Sequence, residues 1–423
     1  MVLCYPSRYD VKSTLRAWSN SEVPMTQATR FDPRFAPLTL QVKDMAEPQP
    51  IYHQKAAEVR AERVEGVVTL YRLEDIVAIN RHPGILGTGG RGGSFGHEGK
   101  LIPLEIDGED HRKWRRLLDP IFAPKKIAFL EDQIRTLARE LIAQFKAAGH
   151  TELHDSYCVP LPCLTFLRLF GAPVEDLDFF VEFKDGVIHP QGETMEEAEA
   201  NMMASAMKIY QYFATFLAQR KAETETKPDI ISTLLHSEVG GRPLTDEEMV
   251  NIMFLFMFAG LDTVTSSMSC VFAWLGQHPE ERDRLAADHS LIPAAIEELM
   301  RYESPVPSGL RYAEEDIDLG DGLVIRAGES IHAVWAAANV DPNAFEDPLT
   351  VKLDRGRTNH IVFASGTHRC LGSHLARLEL RIATEELLAA IPDFAVDSTE
   401  PLQYNNAAVR AALKLPVAFT PSA

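Results

Sequence analysis

Cysteine is scarce in this chain, which has only five among its 423 residues. The number is odd, the positions are mostly scattered and no secretory signal accompanies them, which argues against a disulfide framework. Cys158 and Cys163 are the closest pair, but two prolines lie between them and no second Cys/His pair accompanies them. We therefore interpret both as core residues and not as half of a metal site.

Long apolar runs and excess positive charge are also lacking. The longest uncharged apolar run, residues 252–261, is far shorter than the roughly 20 residues that cross a bilayer. The first residues show no basic region followed by an apolar stretch. We therefore expect a soluble cytoplasmic protein without a membrane anchor. The formal net charge of −19 argues against a nucleic-acid partner.

The composition is that of a globular protein, with 45% hydrophobic and 24% charged residues. The length allows two or three ordinary domains or one large domain with a deep core. Residues 1–34 are polar and show no periodicity. We expect them to form an N-terminal arm with little structure of its own.

One stretch, residues 363–372, joins an irregular segment to a periodic run that begins at Ser373. Gly366 and Gly372 bracket Cys370, so the backbone can turn tightly and lie flat against a large group. A thiolate just before a helix start is stabilised by the helix dipole and by backbone N–H groups that point at the sulfur. These features predict a metal-ligating cysteine.

A second unusual stretch lies within a long apolar helix. Thr245 and Glu248 form a capping box, and apolar residues then continue to Gly276. The helix should span about 30 residues, or roughly 45 Å, and should be buried on every side. Gly260 costs about 1 kcal/mol in a helix interior, and Asp262 is a carboxylate without an evident partner. The two together indicate a functional interruption of the helix; a tolerated kink is the alternative.

These stretches resemble the signatures of the cytochrome P-450 family of haem-thiolate monooxygenases. Residues 363–372 fill every fixed position of Phe-x-x-Gly-x-x-x-Cys-x-Gly, and residues 259–263 fill Ala-Gly-x-Asp-Thr. Residues 298–301 match the family's Glu-x-x-Arg. The resemblance covers almost the whole chain from about residue 35. Residues 338–342 depart from the family's Ala-Asn-Arg-Asp-Pro because Val340 replaces the arginine, which leaves the local ion-pair network in doubt.

The resemblance implies a mainly α fold with a smaller β-rich region, the triangular prism of the cytochrome P-450 family. Residues 35–423 would form a single catalytic domain, with haem b between the long helix and the cysteine loop. The implied haem-binding residues are Cys370 as the iron ligand, His111, Arg115, Arg311 and His368 at the propionates, and Phe363 and Gly372 in the loop. Glu298 and Arg301 would form a structural ion pair.

The activity implied by the resemblance is insertion of one oxygen atom from O2 into a C–H bond, with Asp262 and Thr263 delivering protons. The positions that correspond to the family's substrate pocket are Leu255, Phe258, Ala259, Val306, Pro307 and Val409. No pocket carboxylate or arginine stands out, so we expect an apolar substrate such as a terpenoid, a sterol or a branched lipid.

The implied electron donors are a ferredoxin and its ferredoxin reductase. Basic residues occur in the segments that flank the proposed haem: Arg112, Lys113, Arg116, Lys125, Lys126, Arg355, Arg357, Arg369 and Arg377. They form either a solvated charged face or a docking site for an acidic donor protein.

Two other functions stay open: a peroxide-driven haem-thiolate oxygenase, which would not need the Asp262–Thr263 pair, and a non-enzymatic haem-thiolate sensor. Residues 87–92 also fit Gly-x-Gly-x-x-Gly formally. That motif requires a preceding strand and a following helix, whereas here a helical pattern precedes it and more glycine follows. A surface loop that covers the substrate pocket is favoured there.

Overall fold

The computed structural model describes residues 38, 41–64, 66–87, 100–188, 191–192, 194–223, 225, 227–356, 358–406 and 409–422. The expected arm, residues 1–34, lies outside the described residues, as does most of the glycine-rich stretch, residues 88–99.

Helices dominate the described chain, as the apolar periodicity predicts. They are α1 (Gln49–Glu58), α2 (Leu73–Arg81), α3 (Gly108–Leu118), α4 (Pro124–Ile127), α5 (Leu130–Ala143), α6 (Pro160–Phe170), α7 (Leu177–Ile188), α8 (Met195–Ala222), α9 (Ile230–Leu235), α10 (Asp246–Gln277), α11 (Pro279–Ala287), α12 (Ile292–Glu303), α13 (Trp335–Ala338) and α14 (Ser373–Ala390). Single turns of 3₁₀-helix lie at Asp119–Phe122, Val174–Asp176 and His289–Leu291, and a π-helical turn lies at His154–Cys158.

The strands form a smaller β region in several short sheets. They are β1 (Ala61–Val64), β2 (Val67–Leu70), β3 (Ile85–Leu86), β4 (His150–Glu152), β5 (Glu238–Val239), β6 (Arg242–Pro243), β7 (Gly309–Ala313), β8 (Ile317–Asp318), β9 (Val324–Ile325), β10 (Ser330–Ala333), β11 (Ala395–Val396), β12 (Gln403–Asn405), β13 (Ala411–Lys414) and β14 (Pro416–Ala418).

The largest sheet has five strands in the order β1-β2-β10-β7-β3. β10 runs parallel to β2, and the other pairs are antiparallel. A three-stranded sheet has the order β11-β14-β4, and β5-β6, β8-β9 and β12-β13 are two-stranded. Asp321 and Gly322, both at positive φ, lie in the turn between β8 and β9, as the Asp-Gly pair predicts.

Helix α10 is the centre of the main hydrophobic core. It packs against α6, α7, α8, α12, α14 and β13. The expected capping box at Thr245 and Glu248 is confirmed. Among the described residues, α10 is the one helix long and apolar enough to cross a membrane, but 78% of its most apolar window is buried inside the protein. Its apolar surface is therefore covered by the protein's own helices.

The expected interruption of α10 is wrong, because the helix continues through residues 259–263. Gly260 has a different role: a Cβ at this position would lie 2.7 Å from the ring of Phe166 on α6. The glycine therefore allows the two helices to approach closely. Between residues 251 and 273, the positions of α10 that are not buried are Phe258, Ala259, Gly260 and Thr263. Gly260 lies against Phe166, so we call the other three residues, Phe258, Ala259 and Thr263, the open strip of α10.

Glu298 and Arg301 lie on α12 and form a fully buried ion pair, with Nε of Arg301 2.8 Å from Oε2 of Glu298. Arg301 also donates to the carbonyl oxygens of Asn339 and Pro348. Arg355 donates to Glu298 as well, at 2.9 Å. The guanidinium donors therefore fasten the segment after α13 to α12. Val340 is fully buried and takes no part in this ion-pair network.

Candidate active site

The cysteine loop precedes α14 and is closed by its own backbone. The N–H of Cys370 donates to the carbonyl oxygen of Phe363 at 2.9 Å. Gly366 has φ +72°, and a Cβ at this position would overlap the carbonyl oxygen of Asn80. Only glycine can hold this turn so close to the end of α2.

Cys370 is a free, exposed cysteine three residues before the start of α14. The surrounding loop and helix bury it partly, and this burial raises the pKa of the Cys370 thiol. A hydrogen bond from the backbone of Gly372 and the charges of Arg115, Arg369 and Arg377 act in the opposite direction. These groups would stabilise a thiolate that binds a metal ion. A Cβ on Gly372 would have no other atom within 4 Å, so the cysteine loop is uncovered at this position.

His111 and His368 meet beside this loop, with their ring centroids 4.2 Å apart. Nε2 of His368 lies 2.8 Å from Oδ1 of Asp107. Nε2 of His111 is buried and has no hydrogen-bond partner among the described residues. Burial, the neighbouring His368 and Arg115 lower the pKa of His111 to about 4. His111 is therefore a neutral ring with an unused nitrogen, which calls for a partner.

Two arginines complete this group. Arg115 donates to the carbonyl oxygen of Arg369 in the cysteine loop at 2.8 Å and to Asp119 at 2.7 Å. Arg311 on β7 donates to Oδ1 of Asn80 at 3.0 Å and lies over the ring of Trp335.

No carboxylate of the described residues lies within ion-pairing distance of Arg311. Burial lowers the pKa of Arg311 to about 10, although the charge of Asp107 opposes this. A buried guanidinium without an anionic contact is unfavourable. An anion would therefore complete the arrangement.

These observations fit haem b. An open thiol, an unused buried nitrogen on His111 and a buried Arg311 without a contacting anion correspond to an iron ligand and to partners for two propionates. Nε1 of Trp335, beside Arg311, is also buried without a partner among the described residues. The structure thus brings His111, Arg115, Arg311, His368 and the Cys370 loop into one neighbourhood.

The open strip of α10 carries the hydroxyl of Thr263, which donates to the carbonyl oxygen of Ala259 at 2.9 Å. The adjacent Asp262 is 2% exposed. The sequence shows no partner for this carboxylate, and the interpretation that it stands alone is wrong. Nζ of Lys184 on α7 lies 3.1 Å from Oδ1 of Asp262, and Ser266 donates to Oδ2 at 3.3 Å.

Lys184 is itself buried, with 4% of its side chain exposed, and it also contacts the more exposed Asp185 at 2.6 Å. Burial alone would lower the pKa of Lys184, but the charges of Asp262 and Asp185 outweigh it and the pKa is raised. The ammonium group therefore stays charged and holds the carboxylate of Asp262 to α7.

The six pocket positions lie in three segments of the chain. Leu255 is buried on α10, whereas Phe258 and Ala259 belong to the open strip. Val306 is half-buried and Pro307 is buried in the segment between α12 and β7, and Val409 is buried just before β13. The N–H of Arg410 donates to the carbonyl oxygen of Pro305 at 2.6 Å, so the second and third of these segments are neighbours.

The basic residues near the cysteine loop are largely neutralised. Arg112 pairs with Glu109, Lys113 with Asp110, Arg116 with Glu109, Arg355 with Glu298, and Arg377 with Glu297. Lys125, Lys126 and Arg369 are exposed and have no ion-pair partner among the described residues. Arg357 lies outside the described residues. Fewer basic residues therefore remain free to attract an acidic protein than the nine that the sequence indicates.

A cleft of about 300 Å³ lies beside these exposed cations, between α4, α12 and α14. Apolar residues form much of its wall, and charged groups stand at its edge. It is lined by Pro124, Ile127, Ala128, Glu131, Pro293, Ile296, Glu297, His374, Arg377, Leu378 and Arg381.

Sequence reasoning missed three residues. Asp107 contacts His368, Asn80 joins Arg311 to Ser365 of the cysteine loop, and Lys184 holds Asp262. Only Lys184 left a signal, since it lies on the apolar face of α7, one turn from Phe180 and from Val187.

Cys158 and Cys163 are core residues, as expected, and so is Cys270. Cys158, Cys163 and Cys270 are free and buried, and burial raises the pKa of the Cys163 and Cys270 thiols to about 12. They behave as core residues. Cys4 lies outside the described residues.

Comparison with known proteins points in the same direction. The cytochrome P450 family profile matches residues 165–401. The steroid C26-monooxygenase of Mycolicibacterium smegmatis is 32% identical over 323 residues, which is 76% of this chain and 80% of the relative. Cytochrome P450(MEG) of Priestia megaterium is 31% identical and covers 89% of this chain and 94% of its own. The crystal structure of CYP109E1 from Bacillus megaterium with testosterone has a TM-score of 0.81 at 26% identity, and covers 88% of this chain and 98% of its own.

Replacing Lys184 with methionine should lower the free energy of unfolding by about 3 kcal/mol, because Asp262 is then left buried without its cation. The double variant K184M/D262N should recover most of this loss, since no unpaired charge remains. Urea unfolding followed by circular dichroism measures both. K208M, which removes the exposed pair with Glu182, is the matched control and should change little. A K184M variant as stable as K208M would contradict the ion pair.

Proposed function

This chain belongs to the cytochrome P450 family of haem b monooxygenases, which use O2 and electrons from redox partners, and we propose that it oxidises an apolar small molecule. It would insert one oxygen atom into a C–H bond of a sterol, a terpenoid or a branched lipid. The observation that carries the proposal is the open strip, because Phe258, Ala259 and Thr263 are the open positions of a helix that is otherwise buried in its middle. A substrate there would meet apolar side chains and one hydroxyl.

The haem would be held by Cys370 at the iron and by His111, Arg115, Arg311 and His368 at the propionates. When bound, it supplies the iron at which dioxygen is activated, with the thiolate donating electron density. A hydrogen bond from Gly372 and three nearby arginines favour the thiolate and oppose the burial that raises the pKa of the Cys370 thiol. Asn80 keeps Arg311 close to the cysteine loop through Ser365.

Thr263 and Asp262 would move protons into the pocket. The Thr263 hydroxyl lies on the open strip and can turn from the carbonyl oxygen of Ala259 toward a bound molecule. Asp262 faces the other way, into the interior beside Lys184 and Ser266. A carboxylate next to an alcohol can relay protons to it while apolar walls keep bulk water out.

The pocket positions favour a rigid apolar substrate. Leu255, Phe258, Ala259, Val306, Pro307 and Val409 are all apolar. A steroid C26-monooxygenase and a testosterone-bound cytochrome P450 are among the relatives, and steroids have this apolar, rigid character. We therefore rank a sterol or steroid first among the three substrate classes.

The electron donor would be an acidic ferredoxin, reduced by its own reductase. Lys125, Lys126 and Arg369 are exposed and have no ion-pair partner in the part of the chain that the structure describes. Charge complementarity would steer an acidic donor protein toward them. The free, buried cysteines suit a reducing compartment, so we place the protein in the cytoplasm.

Titration of the ferric holoenzyme with testosterone, geraniol, palmitic acid and biphenyl tests the substrate class. We expect testosterone to convert the haem absorption spectrum from low spin to high spin at lower concentration than the others, because it displaces water from an apolar site. C370S, which cannot form the thiolate, should lack both the thiolate spectrum and this response.

A spectrum that none of the four compounds changes would contradict the apolar-substrate proposal and favour the sensor function. Full product formation with hydrogen peroxide and without a donor protein would favour the peroxide-driven enzyme.

Replacing Thr263 with alanine should lower product formed per electron pair roughly tenfold, with the lost electrons released as hydrogen peroxide, because proton delivery loses its positioned hydroxyl. T265A is the matched control: Thr265 is fully buried on α10 and donates to Leu261. Product yield and peroxide are measured side by side. Equal coupling in T263A and in the wild-type enzyme would remove Thr263 from the proposed mechanism.

The variant K125E/K126E should raise the KM for a reduced plant-type ferredoxin about tenfold at low salt while kcat stays similar, because charge acts on encounter. The difference should shrink at high salt through screening. K208E/K221E on α8 changes charge equally and serves as the control. A similar KM for both variants would contradict the docking site.

A further inference from the structure

A buried ion pair joins the end of α12 to the segment before β13. Nε of Arg410 lies 2.7 Å from Oε2 of Glu303, and the two side chains are only 3% and 6% exposed. A buried ion pair costs desolvation and is weak evidence for stability by itself, so its position in the fold must explain it.

The side chain of Arg410 is fully engaged by groups from three parts of the chain. It donates to Oδ1 of Asn406 at 2.6 Å, to the carbonyl oxygen of Ala46 at 2.7 Å and to that of Met45 at 3.3 Å. Its guanidinium lies 4.7 Å from the ring centroid of Tyr404. The planar fork of arginine fixes both the distance and the direction of these contacts.

The backbone of Arg410 connects the walls of the proposed pocket. Its N–H donates to the carbonyl oxygen of Pro305 at 2.6 Å, and its carbonyl oxygen accepts from the thiol of Cys270 on α10 at 3.5 Å. Ser269 of α10 also accepts from the N–H of Ala412, at 3.1 Å.

The residues next to these contacts in the sequence are three of the apolar residues expected to line the pocket. Val409 precedes Arg410, and Val306 and Pro307 follow Pro305. Glu303 in turn precedes Ser304, whose left-handed conformation at φ 44° turns the chain out of α12 toward Pro305. Arg410 is therefore adjacent to Val409, and Glu303 lies three residues before Val306.

We propose that Glu303 and Arg410 are positioning residues that set the distance between Val306–Pro307 and Val409, and thereby the size of the substrate that the enzyme accepts. The inference rests on the proposed function, because it takes those residues as pocket walls. Any shift of Arg410 would move its backbone contacts with Pro305 and α10 together. Directional ionic contacts hold this spacing where apolar packing would allow the segments to slide.

The experiment compares the holoenzyme with the variant E303Q/R410M, which removes both charges and keeps similar side-chain volumes. The probes are imidazole, 1-phenylimidazole and clotrimazole, whose nitrogen binds the haem iron whatever the natural substrate is. Their Kd values are measured from the shift in haem absorption. Imidazole is small enough to report on the iron alone, whereas the two aryl compounds also contact the pocket walls.

We expect the ratio of the aryl Kd values to the imidazole Kd to change roughly tenfold in E303Q/R410M, a shift of the size that repositioned contacts produce. Imidazole binding itself should change less than about twofold. The matched control is R220M/D229N, which removes an equally buried ion pair between α8 and α9. Its ratio should stay at the wild-type value.

The conservative variant R410K should fold even where E303Q/R410M loses haem, because it keeps the charge near Glu303. Lysine cannot make the forked contacts of arginine. The ratio of aryl to imidazole Kd values in R410K should therefore lie between those of the wild-type enzyme and the double variant. Wild-type ratios in both Arg410 variants would overturn the inference while leaving the proposed function intact. A wild-type enzyme that binds imidazole more tightly than either aryl compound would instead contradict the apolar pocket, and with it the inference.

Discussion

Burial of α10 on nearly every side is the constraint on which this structure depends. A helix of 32 residues with so much apolar surface must be surrounded by other elements, and α6, α7, α8, α12, α14 and β13 surround it. The proposed substrate site lies where that cover is missing. The open strip is such a gap, and it places one hydroxyl, that of Thr263, among apolar groups. Gly260 contributes from the opposite direction by letting α6 approach closely.

Buried ion pairs join the elements around this helix. Lys184 fastens α7 to Asp262, Arg301 fastens the segment after α13 to α12, and Arg410 fastens α12 to the segment before β13. Two of these pairs join separate elements, and Arg301 also bonds to backbone oxygens beyond its own helix. Apolar packing alone would leave the relative positions of these segments less defined. Because charges in the interior tolerate little misplacement, these pairs fix positions more than they add stability. Two of them lie beside residues proposed to act on substrate.

The cysteine loop shows the opposite electrostatic situation. Around Cys370, Arg311 and His111, buried polar groups lack partners among the described residues, and the proposed haem would supply them. Asp107 contacts His368, and its charge acts on Arg311. The acidic chain as a whole, with its net charge of −19, thus keeps a small positive region, which is where we propose that the haem propionates and an acidic donor protein bind.

The sequence by itself determined the family, the cysteine loop, the capping box of α10 and the positions of most helices, because these depend on local spacing, on glycine and on periodic burial. It was misleading at Gly260 and Asp262, where it indicated a break and an isolated charge. The tertiary structure alone decided that Phe166 requires the glycine and that Lys184, 78 residues earlier in the chain, accompanies the carboxylate. It also decided how Asn80, Asp107 and Arg410 join distant segments. Such partners are separated along the chain and leave no periodic signal, so only the packing of whole elements brings their charges together.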